Sequence, residues 1–232
     1  MKIFGSREKK LKLYLTLFAS VLFLFTAQTY AQTVVDKTVA TVSDGVRTEL
    51  ITYSDLLWQL ALRPGVSLTP PTSEDLNIAL QLIINQRLFA LEAERLPQPD
   101  PTPEQIDAEI KRVLSLFPST AEFENRLRIV GFESVKDENF QTLMEQRVAI
   151  EKYIDFRFRS FAIITSEEEE RYYREKFVPD FRRRNPGRLM PTLDETRVQI
   201  NKLLREEKVT NDISKFLDDA KRRAEIVILN EV

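Results

Sequence analysis

The densest cluster of reactive side chains in this 232-residue chain is a run of four carboxylates, Glu167, Glu168, Glu169 and Glu170. Carboxylates are the oxygen donors that calcium and magnesium select, but a calcium loop spaces its donors over about twelve residues around a central glycine. Four consecutive acids directly after Thr165 and Ser166 fit instead the first turn of a helix, where negative charge complements the helix dipole. The chain has no histidine and no cysteine. That removes Ser-His-Asp and Cys-His catalysis and the usual zinc sites. Beyond residue 31 the only glycines are Gly45, Gly65, Gly131 and Gly187, too scattered for a phosphate-cradling loop. The expectation is a protein that is not an enzyme, with no catalytic residue, no metal and no cofactor.

What remains is the chemistry of surfaces. Phe156, Phe158 and Phe161 form an aromatic cluster in which residues 156 and 158, two apart, cannot share one face of a helix. One of them is therefore available to line a groove, together with Phe161 and with Trp58 nearer the N-terminus. Core packing is the competing reading for each of these four, because apolar residues at helix ends commonly serve it. Arg182, Arg183 and Arg184 have two readings as well, a grip on an acidic partner or a hydrated linker.

The elements that must position these residues are legible in the pattern. Lys2, Arg7, Lys9, Lys10 and Lys12 precede an uncharged apolar run from Leu13 to Ala27, and Thr29-Tyr30-Ala31 follows. This is the layout of a signal peptide over residues 1–31, cleaved between Ala31 and Gln32. The apolar run falls short of the roughly 20 residues of a membrane span, although an uncleaved N-terminal anchor is the alternative if the run is extended back through Leu11. Either way the folded part is exported, and after cleavage it keeps no stable span. Without that segment 29 basic residues face 35 acidic ones, a net charge near −6. Such a balance supplies no global field for nucleic acid. The lack of cysteine excludes a lipoprotein anchor and a disulfide framework, so the core must hold by apolar burial.

Val39 to Leu56 reads as two short strands around Asp44-Gly45, then a helix start. From there the apolar period is helical almost to the end. Helix starts are marked by Thr52 with Asp55, Thr72 with Asp75, Thr102 with Pro103 and Gln105, Ser119 with Glu122, Thr165 with Glu168 and Thr192 with Glu195, and more weakly by Ser134 with Asp137. Seven helices follow. The second, about Ser73 to Arg95, is apolar on two sides and is expected at the centre. The fifth, about Val135 to Ser160, forms the spine with it. Alternating prolines from Pro97 to Pro103 predict an extended connector, and residues 179–192 a second linker. Ile226 to Leu229 reads as a strand covered on both faces, the best partner for the N-terminal hairpin. The fold class expected is mainly α, about seven helices with a small β-sheet formed by the N-terminal hairpin and the C-terminal strand.

In this order, the hairpin "VVDKTVATVSDGVRTELITYSDL", the helix "LNIALQLIINQRLFALEAERL", "TPEQIDAEIKRV", "FRSFAIITSEEEERYYREKF" and the closing "VQINKLLREEKVTNDISKFLDDAKRRAEIVIL" resemble the SurA-type periplasmic chaperones. No single motif is specific; the order is. The resemblance implies one discontinuous chaperone domain, residues 32–178 completed by 193–232. Residues 179–192 stand where that family inserts a parvulin isomerase module, which is missing, and no prolyl isomerase residue maps onto this chain. It implies an ATP-independent holdase that binds unfolded polypeptides, most plausibly outer-membrane β-barrel precursors. A structural or adaptor protein docking one folded envelope partner is the alternative, and an isomerase with an unrecognised site the third.

Overall fold

Asp44 and Gly45 turn the chain between β1 (Thr38–Ser43) and β2 (Thr48–Thr52). Gly45 takes φ 85°, a left-handed conformation that suits glycine, while Asp44 Oδ1 accepts the backbone N–H groups of Val46 at 2.9 Å and Arg47 at 2.8 Å. Those bonds from Arg47 and Val46, with a third from Arg95, hold the Asp44 carboxyl well below the usual carboxylate range. The hairpin is completed by β3 (Glu225–Ile228), which pairs antiparallel with β1 to give the order β2-β1-β3. The computed structural model describes residues 36–96 and 99–232. The expected signal segment, with Ala31 and Gln32, lies outside them. The two ends of the described chain thus meet in one sheet.

One expectation about that sheet is corrected. β3 is an edge strand and is not covered on both faces, with Val227, Ile228 and Leu229 exposed by 38%, 47% and 53%. Ala40, Val42, Ile51 and Ile226 share the face packed into the core, whereas Leu50, Thr41 and Val227 stand opposite one another on the face toward solvent. An antiparallel sheet is satisfied by burying one face.

The helices are α1 (Tyr53–Ala61), α2 (Ser73–Ala93), α3 (Pro103–Leu114), α4 (Thr120–Ile129), α5 (Glu138–Arg157), α6 (Ser166–Tyr172), α7 (Val178–Arg184) and α8 (Leu193–Arg223). A π-helical turn, Tyr173–Phe177, joins α6 to α7, so the described residues form seven continuous helical rods. Thr52, Thr102, Thr165 and Thr192 close full capping boxes; Thr72 and Ser119 accept only the backbone donor three residues on. At α5 the start moves three residues, because Asp137 itself is the cap and accepts the Asn139 N–H at 2.9 Å.

The expected linker over 179–192 is also corrected: its first half is helical through Arg184. Pro179 has no N–H, and its ring crowds the carbonyl four residues back. The π turn relieves this by widening the turn just before it, with the Val178 N–H reaching back to the Tyr173 carbonyl. Only residues 185–192 remain as a connector.

Burial divides into three clusters. The sheet, α1, α2 and the end of α8 enclose the first, around Ile51, Leu56, Leu60, Ile83 and Leu88. Phe117, Phe123, Leu127, Phe132, Phe140 and Met144 fill the second, between α3, α4 and α5. Phe89, Tyr153, Phe158 and Val209 join α2, α5 and α8 in the third. α2 serves the first cluster directly and the third through Phe89, as a central helix should. Its Ile78 and Leu82, however, remain 40% and 39% exposed. The Arg126 side chain helps tie the first cluster to the second, beside Val130, which packs against both. The Arg126 guanidinium on α4 donates to the carbonyls of Leu60, Ala61, Arg63 and Val66, capping the end of α1 and its following turn.

Candidate functional site

Glu167, Glu168 and Glu169 lie in the first turn of α6 with Glu170 just after it, and the Thr165 N–H donates to Glu168 Oε2 at 2.8 Å. That backbone bond holds the Glu168 carboxyl below its ordinary range, and backbone bonding at the helix start does the same for Glu167. Glu169 turns the other way. It is 6% exposed and accepts from Arg197 at 3.2 Å and Asn201 at 2.7 Å, which locks α6 onto α8. Among the described residues no group of three or more carboxylates stands close enough to share a metal ion. Arg182, Arg183 and Arg184 lie in the last turn of α7, the latter two paired with Asp180.

The aromatic cluster is split by helix geometry. Phe158 is 7% exposed, packed edge-on to Tyr153 and Phe216 with ring centroids 6.3 Å and 5.5 Å away. It belongs to the core and is withdrawn as a surface contact. Phe156 points to the opposite side, 51% exposed, as the two-residue offset requires. α5 ends one residue later, and the 3-10 turn Arg159–Phe161 brings the Phe161 ring, 65% exposed, back to within 6.4 Å of Phe156, edge to face. Ile163 follows at 72% exposure.

This turn is held, not loose. Arg159 is clasped by Glu151 and Asp155, Lys208 donates to the Ile163 carbonyl at 2.9 Å, and Arg205 to the Arg159 carbonyl at 3.4 Å. Across from it on α8 stands Val198, which with Arg159, Lys202 and Arg205 lines an open hollow of ≈ 390 Å³. Phe156, Phe161 and Ile163 form an apolar surface bordered by charges of both signs, the cations Arg159, Arg205 and Lys208 and the acids Glu151 and Asp155. Its chemistry is reversible contact, through aromatic faces, methyl groups and long basic stems.

Trp58 sits elsewhere. Its indole N–H donates to the Val130 carbonyl at 3.1 Å and its ring lies 4.9 Å from that of Phe132, so one side is committed to the second cluster. The rest borders a small hollow of ≈ 120 Å³ with Gln59, Ile83, Gln86 and Gln146. Gln86 also lines a larger hollow of ≈ 480 Å³ beside Glu109, Arg112 and Arg147. Burial alone would raise the Glu109 carboxyl; the Arg112 and Arg147 guanidiniums outweigh it and hold that carboxyl below 4.5. Trp58 therefore borders a polar trough, whose larger hollow extends to Glu151.

Two features were missed from the sequence. Ile163 and Val198 carry no signal of exposure, since only the packing of the turn on α8 shows which apolar residues stay uncovered. Tyr173, Phe177 and Phe181 form a stacked ladder with centroids 5.6 Å and 5.8 Å apart. Their i, i+4, i+8 spacing was readable, but the proline at 179 argued against one continuous helix. No protein-family model matches the chain, and no curated protein is significantly similar to it.

Proposed function

We propose that this protein is an exported, ATP-independent holdase for unfolded envelope polypeptides, without prolyl isomerase activity, and that its clients include outer-membrane β-barrel precursors. The observation that carries the reading is the exposed apolar surface at the α5–α6 turn, where two phenylalanines at 51% and 65% exposure are fixed by surrounding ion pairs. A soluble protein that holds large aromatic side chains toward water in a well-tied turn has a contact surface there. The charged rim keeps the surface wet and its contacts weak. A client held that way leaves without nucleotide hydrolysis. The order of hairpin, helices and closing strand, resembling SurA-type chaperones, supports the same conclusion.

The test is aggregation of an unfolded β-barrel protein diluted from denaturant, followed by light scattering. The protein should suppress aggregation at modest molar excess, and the double change Phe156→Ala with Phe161→Ala should abolish most of that effect at unchanged melting temperature. Equal suppression by the double variant would reject this surface. No suppression by the unaltered protein at any ratio would reject the function. The half-covered ladder of Tyr173, Phe177 and Phe181 favours the adaptor reading, a preformed helical face for one folded partner. A single partner of fixed stoichiometry in a pull-down, lost on Phe177→Ala, would decide for it.

A further inference from the structure

The two edges of the sheet are built differently. β2 carries Glu49, and Arg47 just before it pairs with Glu94, so that edge is flanked by charge. Lysines, other charges and prolines are the usual means by which edge strands discourage further pairing. β3 has Glu225 at its start and then Ile226, Val227, Ile228 and Leu229 in succession, with neither a charge nor a proline among them.

Its main-chain groups are disposed accordingly. The Leu229 N–H donates to the Val39 carbonyl at 2.8 Å, and Thr41 lies directly opposite Val227. Antiparallel pairing alternates, so Val227 and Leu229 direct their N–H and C=O groups to β1. Ile226 and Ile228 direct theirs away from it. Among the described residues no strand pairs with that side. Two donors and two acceptors in extended geometry match only another extended backbone. At about 3.3 Å per residue the four-residue edge is roughly 13 Å long. That is far too short to bury the roughly 1,200 Å² of a stable pair of folded molecules, but it suits a transient contact with a stretched chain.

We propose that the outer edge of β3 receives an extended, apolar-rich segment of unfolded polypeptide as a fourth strand. The proposal rests on the holdase reading and adds its substrate class: segments already in strand conformation, recognised through the main chain and so with little regard to sequence. Ile228 is 47% and Val227 38% exposed, one on each face of the sheet. An incoming strand is therefore met by an apolar side chain whichever of its faces is apolar.

The test uses a fluorophore-labelled eight-residue peptide of alternating valine and threonine, and the same peptide N-methylated at its four central amides. N-methylation removes strand donors while making the peptide more apolar. The unmodified peptide should bind saturably to the full protein, and the N-methylated one at least tenfold more weakly. Ile228→Pro, which removes an outward N–H and no bond to β1, should weaken the unmodified peptide by a similar factor at unchanged melting temperature. Equal binding of the two peptides overturns the proposal. So does binding that survives Ile228→Pro but is lost on Phe156→Ala with Phe161→Ala, or a variant whose one effect is to turn a dimer into a monomer in sedimentation. If no peptide binds while aggregation is still suppressed, the edge proposal fails and the holdase reading stands; if suppression is also absent, both fail.

Discussion

Replacing Arg126 with methionine should produce one of the largest losses of stability available from a single half-buried polar residue. Its guanidinium donates four hydrogen bonds, at 3.1, 2.8, 2.9 and 2.9 Å, to the carbonyls of Ala61, Val66, Leu60 and Arg63. The end of α1 has carbonyls with no partner inside the helix, as every helix end does. Methionine keeps much of the stem's packing and removes every donor. Each bond to a charged group contributes about 1.5–3 kcal/mol to stability. The site is half-buried and some carbonyls will find water, so the sum must be discounted to about 3 kcal/mol. For a domain of this size that lowers Tm by about 6–12 °C. Arg126→Lys keeps the charge but offers a compact donor to a splayed set of acceptors, so it should recover less than half. Burial pushes the Arg126 guanidinium below its ordinary value, yet it stays charged at every pH where the fold is measured. The loss should therefore be the same at pH 6 and pH 9. Urea unfolding followed by circular dichroism reads it directly. A methionine variant within about 0.5 kcal/mol of the parent would refute the assignment of Arg126 as a tie between the two clusters.

The three phenylalanines should separate cleanly by the same measurement: Phe158→Ala should cost about 3–5 kcal/mol as a core cavity, whereas Phe156→Ala and Phe161→Ala should each stay within about 0.5 kcal/mol. With no histidine or cysteine, no side chain with an ordinary pKa titrates between about pH 5 and 8, so stability should be flat there. The shifted carboxyls, among them Glu109, Glu168 and Glu195, are all depressed in the folded state. Their stabilisation is present above the ordinary carboxylate range and is lost as pH falls through their folded values, so unfolding should begin below about pH 4.5; Glu109→Gln should make that acid limb shallower. Glu169→Ala should leave the sheet and its urea transition near normal but raise amide exchange along α6, because it removes the acceptor of both Arg197 and Asn201.

The local chemistry of this chain was decided by the sequence alone. A threonine or serine oxygen three residues ahead of a donor caps a helix wherever that helix lies, so six of the seven starts stand where Thr52, Thr72, Thr102, Ser119, Thr165 and Thr192 place them. The absence of histidine and cysteine is likewise a fact of composition. Asp44-Gly45 fixes its turn through one positive φ and one side-chain oxygen, both local. Even the pairing of the tail with the hairpin could be inferred, since β1 had one apolar candidate partner left.

The tertiary structure alone decided which apolar groups remain uncovered. Phe156 and Phe158 are the same residue type two positions apart, and only the approach of Phe216 from α8 makes one of them core and leaves the other in water. The hydrophobic content of Ile226 to Leu229 predicted coverage on both faces, yet the helices reach one face and the strand ends as a bare edge. The continuation of the helix past Pro179 likewise depends on a π turn that no propensity announces. Burial is a property of what comes near from distant parts of the chain. A surface whose use is to stay uncovered cannot be read from the residues that compose it, only from the neighbours that fail to reach it.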